Sequence, residues 1–263
     1  KSTVLFYYRI MSLNRQDFVS LAANTPSAAR QHNRRIIVQS LRRYGGLSRA
    51  ELSRITGLSP QAIANIVIAL TADGLVRETG RRKSSRGQPP ITIELCGDAG
   101  FALGLRIDAT SYNVVAVSLT GEMLSRGHGS VDVHDARIFD LIANIHSHAI
   151  RRHAGKKCFG IGIVTPGPFD TTWPGTPSPG SIATLQKEII VKDALSRLGT
   201  DVYLGNDAYA AAIGEKLYGA AKDIKDYFYL YIGEGVGGGL VIGGESYRGT
   251  GGNGGEAGHM IVD

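Results

Sequence analysis

Residues 47–74 read LSRAELSRITGLSPQAIANIVIALTADG, and this stretch decides the fold of the N-terminal part of the chain. Ser48 opens an S-x-x-E capping box, which predicts a helix that begins there and ends at Gly57. Ser59 followed by Pro60 predicts a second start, because Ser is a favoured N-cap and Pro suits the first helical position. Two short helices separated by a glycine turn are typical of a helix-turn-helix.

The flanking segments complete a winged helix-turn-helix. Residues 32–44, HNRRIIVQSLRRY, place apolar side chains at helical spacing and predict a longer helix in front of the motif. Behind the motif, LVRETG predicts a strand, RRKSSRGQPP a loop and ITIEL a return strand. We therefore predict a winged helix-turn-helix DNA-binding domain over residues 30–95, preceded by an N-terminal extension over residues 1–29.

The charge of the chain is divided between its two parts. Residues 30–90 hold 12 Lys and Arg against three Asp and Glu, a balance of +9, whereas residues 91–263 hold 14 against 19, a balance of −5. This segregation predicts a polyanionic partner for one end of the chain. The two cysteines are too few for a disulfide framework or a complete zinc site, and no apolar run approaches the length of a membrane span. We therefore expect a cytoplasmic protein with no membrane partner.

Position in the predicted motif assigns candidate DNA contacts. Amide side chains in the first turns of the third helix can pair with adenine, and a small apolar side chain can contact a thymine methyl group. Flanking arginines can bind phosphates, and the cationic loop tip suits a minor groove. The predicted contacts are Arg34, Arg35, Ser48, Arg49, Ser59, Gln61, Ala62, Asn65, Arg81, Arg82, Lys83 and Arg86. The alternatives are a solvated basic face and a three-helix domain that binds protein.

Strand and helix patterns alternate in the body of the chain, residues 96–263. Three extended stretches run from GFALGLRID to LSRGHGSVDV, and helices are predicted over residues 136–153 and 187–198. CFGIGIVTPGP predicts a buried strand, and DVYLGND predicts a strand that leads into the helix AYAAAIGEKLYG. FYLYIGEGVGGGLVIGG predicts a glycine-rich hairpin. Such alternation indicates an α/β fold.

Two resemblances sharpen this prediction. The two strand–turn–strand units of the body, more than 100 residues apart, resemble the phosphate loops of the actin-like ATPase (ribonuclease H-like) fold. Residues 248–263, RGTGGNGGEAGHMIVD, resemble the signature of the ROK family of repressors, open reading frames and sugar kinases. Residues 32–76 resemble the winged-helix domain of the sugar-responsive repressors of that family. The resemblance implies a ROK-type sugar-binding domain over residues 96–263 that is incomplete at its C-terminus.

The resemblance implies roles for matching positions. Asn206 and Asp207 match the end of the sugar-site strand, and the Asp is the general base in the kinases. Glu256 and His259 match two further residues that contact the sugar, and the His is also a zinc ligand in many members. The implied sugar-binding residues are therefore Asn206, Asp207, Glu256 and His259, with His259 as a candidate ligand of a structural zinc in a longer form. From the sequence alone, Asp207 favours a helix N-cap, because AYAAAIGE follows it directly.

Both phosphate loops depart from the kinase pattern. Where the kinases have DIGGT, residues 108–112 read DATSY, so both glycines are replaced. Where the kinases have Thr in the second loop, this chain has Glu234 within GEGVGGG, and a carboxylate there would repel a phosphate. We therefore expect neither ATP binding nor catalysis.

These patterns predict a transcriptional repressor of carbohydrate-utilisation genes. It would bind double-stranded operator DNA as a homodimer or higher oligomer and respond to a sugar or sugar derivative. One alternative is an ATP-dependent sugar kinase with an appended DNA-binding domain, in which Asp207 is the base. Another is a DNA-binding protein controlled by a protein partner, for which the body serves as the docking platform.

Overall fold

The computed structural model describes residues 26–81, 90–132, 137–167, 195–233, 235–249 and 254–259. These residues form two compact units. Of the described residues, those from Pro26 to Ala99 and the turn Ser118–Glu122 form the N-terminal unit, and Gly100–Val117 with those from Met123 onward form the body.

Three helices make up most of the N-terminal unit: α1 (Pro26–Tyr44), α2 (Arg49–Thr56) and α3 (Pro60–Ala72). The helix predicted from residue 32 begins at Pro26, within the segment predicted to be an extension. Residues 26–31, PSAARQ, carry no large apolar side chain, so hydrophobic periodicity could not detect this first part of α1. The bend between α2 and α3 is 116°, which lies within the range of a helix-turn-helix.

The predicted caps are confirmed. The Ser48 hydroxyl accepts from the Glu51 N–H, and the Glu51 carboxylate accepts from the Ser48 N–H at 2.8 Å, which completes the capping box. Gly57 ends α2 in the left-handed conformation with φ 72°, which favours glycine. Ser59 caps α3 by accepting from the Ala62 N–H at 3.2 Å. The turn of the motif is therefore specified by local sequence.

Strands β1 (Val76–Arg81) and β2 (Ile91–Leu95) pair in antiparallel fashion and form the predicted wing. Leu47 pairs with Ile93 through two backbone hydrogen bonds, which attaches the wing to the helices. Apolar residues of the three helices and the wing fill one core: Ile37, Leu41, Leu47, Leu52, Ile63, Val67, Leu70, Val76 and Ile93. No single helix among the described residues is long and apolar enough to cross a membrane, and α2 with α3 meets that test only as a bent pair.

The body is built on a five-stranded sheet in the order β5-β4-β3-β6-β7. Its strands are β3 (Gly100–Ile107), β4 (Ser111–Ser118), β5 (Met123–Ser130), β6 (Lys157–Thr165) and β7 (Val202–Asn206). Strands β3, β6 and β7 are parallel, whereas β4 and β5 are antiparallel. Helix α4 (Ile138–Arg152) matches the prediction of a helix over residues 136–153, and its residues Ile138 and Ile142 are buried against the sheet.

A second sheet of three strands has the order β10-β9-β8. It consists of β8 (Tyr227–Ile232), β9 (Val236–Ile242) and β10 (Glu245–Tyr247), and helix α5 (Asp207–Tyr218) contacts both sheets. The predicted α/β fold is confirmed. Of the helix predicted over residues 187–198, only the last residues are described, and Ser196–Leu198 form a 3₁₀ turn.

Strand parity determines which side chains meet at the carboxyl edge of the parallel strands. Leu105 and Ile107 of β3 lie in the core that α4 covers, and side chains alternate along a strand, so Arg106 points to the other face. Its register partner Val164 packs against Ala210 of α5. Arg106 therefore lies on the α5 side of the sheet, next to the start of that helix.

Candidate functional site

Asn206 and Glu256, which are 50 residues apart in sequence, meet where β7 ends. The Asn206 amide donates to the Glu256 carboxylate at 2.9 Å, and its oxygen accepts from the Tyr209 N–H at 2.9 Å. Asn206 is thus the N-cap of α5. The expectation from local sequence that Asp207 is the cap is wrong by one residue, because Asp207 is already helical. The amide of Asn206 cannot turn without uncapping the helix, so its orientation is fixed.

The turn after β6 closes this cluster from a third side. A Cβ atom on Gly167 would lie 2.3 Å from the Glu256 carboxylate and 2.4 Å from the Asn206 amide nitrogen. Any larger residue would therefore push the two side chains apart. The turn at residues 166–167 supplies backbone that lies directly against the polar pair.

Asp207 is engaged by an arginine that the sequence predictions did not include. One of its carboxylate oxygens accepts from the Ala208 N–H at 2.8 Å, and the other accepts from Arg106 Nε at 3.1 Å. The Asp207 side chain is 9% exposed, and that of Arg106 is 33% exposed. The residue that would be the base of a kinase is therefore held in an ion pair.

The same guanidinium contacts two more groups. Arg106 Nη2 lies 2.9 Å from the Asp108 carboxylate and donates to the Tyr231 hydroxyl at 3.2 Å, and the guanidinium carbon lies 5.9 Å from the centre of the Tyr231 ring. Burial opposes the charge, but the charge and hydrogen bond of Asp207 outweigh it and raise the pKa of Arg106 above its ordinary value. Arg106 is therefore a permanent cation at this edge.

The turn that follows β3 differs from a phosphate-binding loop. The Ala109 N–H, which such a loop would direct at a phosphate oxygen, donates to the Asp108 carboxylate at 2.9 Å. The Asp108 N–H donates to the Ser111 carbonyl at 2.8 Å. Two backbone donors of this turn are therefore used internally, and the Asp108 side chain places an anion beside them.

The glycine run of β9 packs against α5. A Cβ atom on Gly239 would lie 2.5 Å from the Ala212 Cβ and 3.0 Å from the Ala208 carbonyl oxygen. On Gly238, a Cβ atom would lie 2.8 Å from the Gly255 carbonyl oxygen. Close approach of a helix and a neighbouring loop therefore accounts for these glycines. Glu234, at the start of this segment, lies outside the described residues.

Tyr209 connects α5 to the second sheet. Its hydroxyl lies 2.6 Å from the Ser246 hydroxyl of β10, and the Arg248 guanidinium stacks 5.3 Å from the centre of its ring. Burial raises the pKa of Tyr209 above its ordinary value. These contacts attach α5, the helix that Asn206 caps, to the second sheet.

The zinc prediction for His259 is untested. The backbone of His259 ends the short turn Ala257–His259, and its side chain lies outside the described residues. Within the described ranges, no group of three or more His, Cys, Asp and Glu side chains is arranged to hold a metal ion.

The predicted DNA-reading residues lie on the exposed side of α3. Gln61 and Asn65 are exposed, and the Gln61 amide donates to the Asn65 oxygen at 3.1 Å. Ala62 is half-buried beside them, and Ser59 is exposed at the cap. Ile68, three residues beyond Asn65, is 63% exposed. The sequence predictions did not include Ile68 among the candidate DNA contacts, although its apolar side chain follows Asn65 at helical spacing.

Two of the predicted phosphate-binding arginines are in ion pairs. Arg34 pairs with Asp73, and Arg49 pairs with Glu78, both through exposed or half-exposed side chains. Ion pairs between such exposed side chains contribute little free energy, so each guanidinium can leave its carboxylate at little cost.

The remaining predicted DNA contacts lie in three places: the buried N-cap of α2, the half-buried surface of α1, and the tip of the wing, whose side chains lie outside the described residues. Ser48 is 6% exposed and its hydroxyl serves the capping box, so we assign it to capping rather than to DNA contact. Arg35 is half-buried on α1. Arg81 ends β1, and its side chain lies outside the described residues together with Arg82, Lys83 and Arg86.

Comparison with known proteins agrees with both units. The family model described as "ROK family" matches residues 102–263, and the model described as "Winged helix-turn-helix DNA-binding" matches residues 30–77. A xylose repressor of Bacillus spizizenii is 29% identical over 235 residues, which are 88% of this chain and 60% of the relative. The chain thus spans about three fifths of the length of such relatives.

Solved structures show the same fold. A ROK family transcriptional regulator, described as a homologue of the E. coli MLC protein, superimposes with a TM-score of 0.68 at 24% identity over 89% of this chain and 60% of that one. A ROK hexokinase from Thermus thermophilus superimposes with a TM-score of 0.51 at 30% identity over 62% of this chain and 53% of that one. Because the ROK family model matches more than half of the residues of this chain, the chain belongs to the ROK family.

Proposed function

We propose that this protein is a DNA-binding transcriptional repressor of carbohydrate-utilisation genes and that a sugar bound to its ROK body controls it. The exposed amide pair of α3 carries this proposal. Gln61 and Asn65 stand on the solvent side of the second helix of a helix-turn-helix, where a bidentate amide can pair with adenine in a major groove.

The charge of the N-terminal unit supports a nucleic-acid partner. Residues 30–90 carry a balance of +9, which favours association with a phosphate backbone whatever its sequence. Ion-paired Arg34 and Arg49 can exchange their carboxylate partners for phosphates, which fixes register. The N-terminal unit therefore has side chains suited to base contact and cations suited to phosphate contact, and a sequence-specific DNA-binding domain requires both.

The polar cluster of the body supports a polyhydroxyl ligand. Asn206 and Glu256 present an amide and a carboxylate in one fixed arrangement, and such groups discriminate between hydroxyl positions. The matched relative from Bacillus spizizenii is named a xylose repressor, and we therefore place D-xylose first among the sugars to test. A sugar controls DNA binding only if it binds two conformations of the protein with different affinity.

The alternative of an ATP-dependent sugar kinase is favoured by the fold shared with the Thermus thermophilus hexokinase. The geometry opposes it, because the Asp207 carboxylate is ion-paired and the Ala109 N–H is engaged by Asp108. A base must be free to take the proton of the attacking hydroxyl. We therefore propose that the body binds sugar without transferring phosphate.

The test is selection of duplex DNA from a random pool, followed by titration of the selected site with D-xylose and a panel of other sugars. We expect a two-fold symmetric site, since regulators of this kind bind as dimers, and one sugar that changes its affinity. The control variant Arg126→Ala removes an exposed arginine of the body and should leave the selected site unchanged. Failure to enrich any site would overturn the assignment to DNA. A site indifferent to every sugar would favour control by a protein partner, and ADP release with a sugar would establish the kinase.

A further inference from the structure

Arg106 connects three elements at the carboxyl edge of the large sheet. It leaves the end of β3 and reaches Asp108 in the following turn, Asp207 at the start of α5 and Tyr231 on β8. Its partners Asp207 and Tyr231 are 101 and 125 residues away in sequence. A charged side chain within an otherwise apolar strand requires an explanation, because its burial costs free energy unless it is paired.

Without this arginine, the edge would present two carboxylates to one point. Asp108 and Asp207 both direct an oxygen at the guanidinium, at 2.9 and 3.1 Å. Their side chains are 18% and 9% exposed, so water screens them weakly. Two converging, shielded carboxylates are typical of a site for a hard cation, and phosphoryl transfer uses such a cation.

We propose that Arg106 is an internal counter-cation which occupies the position of a metal ion and fixes Asp207 as an immobile acceptor. The inference rests on the proposed function, because it explains how a body with a kinase-like fold binds a sugar and does not process it. Arg106 is a positioning residue: it acts through Asp207 and does not itself require contact with the sugar. Its planar fork satisfies two carboxylates at once, which a lysine cannot do in the same geometry.

Terbium luminescence tests the counter-cation directly. Tb³⁺ is a hard cation that replaces divalent ions at oxygen sites, and energy transfer from a nearby tyrosine such as Tyr231 makes it luminescent. In the full chain, Arg106→Ala is expected to bind Tb³⁺ on the order of tenfold more tightly than the unmodified protein. The double variant Arg106→Ala/Asp108→Asn should lose the gain, and Arg106→Lys should not show it.

Two controls keep the result interpretable. Arg126→Ala removes an exposed arginine from β5 of the same sheet and should not increase luminescence, so a gain there would indicate a non-specific effect of charge. Arg106→Gln preserves more of the side-chain volume and serves as the test variant if circular dichroism shows that Arg106→Ala is unfolded. Absence of a terbium gain in folded Arg106→Ala, or in folded Arg106→Gln where the alanine variant is unfolded, would overturn the proposal.

Sugar binding supplies the second readout. If D-xylose binds the unmodified protein in calorimetry, Arg106→Ala should weaken it about tenfold through loss of the fixed Asp207, and Arg106→Lys should restore part of the loss. Equal affinity of all three proteins would overturn the positioning role. If no sugar binds the unmodified protein while terbium binds the variant, the sugar assignment fails and the counter-cation stands. The two failures are therefore distinguishable.

Discussion

Gly239 offers a direct test of why the body contains its glycine run. The substitution Gly239→Ala places a Cβ atom 2.5 Å from the Ala212 Cβ, 3.0 Å from the Ala208 carbonyl oxygen and 3.1 Å from the Tyr209 Cα. Two of these three atoms belong to the backbone of α5 and cannot rotate away. Either α5 or β9 must then shift by about an ångström, and overpacking of this kind costs roughly 1–3 kcal/mol of the free energy of unfolding.

The matched control lies in the same run. A Cβ atom on Gly235 meets no heavy atom within 4 Å, so Gly235→Ala creates no clash. Alanine restricts the unfolded chain more than glycine does, and Gly235→Ala should therefore be neutral or stabilise the protein by up to about 1 kcal/mol. Each variant adds one methyl group to the unmodified protein, so the difference between their free energies of unfolding measures the packing effect at Gly239.

Urea unfolding followed by circular dichroism and tyrosine fluorescence measures both variants. With a slope of about 2 kcal/mol per molar urea, the loss in Gly239→Ala corresponds to a midpoint roughly 0.5–1.5 M lower for the transition of the body. A transition that belongs to the N-terminal unit should not move. If Gly239→Ala unfolds at the same urea concentration as Gly235→Ala, close packing does not explain the glycine run and our account of it is wrong.

Four further outcomes follow from the described contacts. Ser48→Ala removes the capping box of α2 and should lower the free energy of unfolding of the N-terminal unit by about 1 kcal/mol in urea titrations. Asn65→Ala should weaken binding to the selected operator by about 1–3 kcal/mol in fluorescence anisotropy, with non-specific DNA affected much less. Glu78→Gln removes the anion paired with Arg49 and should tighten non-specific DNA binding, with a steeper dependence on salt. Burial lowers the pKa of His146 below its ordinary 6.5, so the unfolded chain binds the proton more readily. The stability that depends on neutral His146 is therefore fully present above pH 6.5 and is lost as the pH falls from there through the lower pKa of the folded state, and His146→Gln should make unfolding less sensitive to acid over this range.

The parts of the fold that local chemistry specifies were predictable from the sequence. The Ser48 capping box, the left-handed Gly57 and the Ser59 cap each involve residues within five positions of one another. A segment with such signals has few alternative conformations, so reading them in order defines the helix-turn-helix. The early start of α1 at Pro26 lacked any such signal, since its first turns carry no apolar face.

The network around Asp207 could not be derived in this way. The contact between Arg106 and Asp207 spans 101 residues and depends on β6 lying between β3 and β7. Sequence patterns place each residue at the end of a strand, but they do not give the order of the strands. One signal was present: a charged residue within the apolar run GFALGLRI, which favours a buried ion pair over a solvated side chain.

The identity of the N-cap shows why adjacent polar residues are hard to separate by sequence. Asn206 and Asp207 are both favoured caps, and either could precede AYAAAIGE. The structure assigns the cap to Asn206, because its amide can serve the helix and Glu256 together. Asp207 is then free to pair with Arg106. A tertiary contact therefore decides a choice that local propensity leaves balanced.

The chemistry of Asp207 follows from its neighbours rather than from its type. The same carboxylate at the same point of an actin-like fold is a base when a proton can reach it and a cation can stand beside it. In the proposal made above, Arg106 takes the place of the cation in this chain, and its hydrogen bond occupies one of the two Asp207 carboxylate oxygens. A carboxylate held in this way can still accept a hydrogen bond from a sugar hydroxyl through a remaining lone pair. Because Arg106 already stabilises its negative charge, it is a poor base for removing the proton of that hydroxyl. We therefore propose that one arginine on β3 separates sugar binding from catalysis, as a sugar sensor requires.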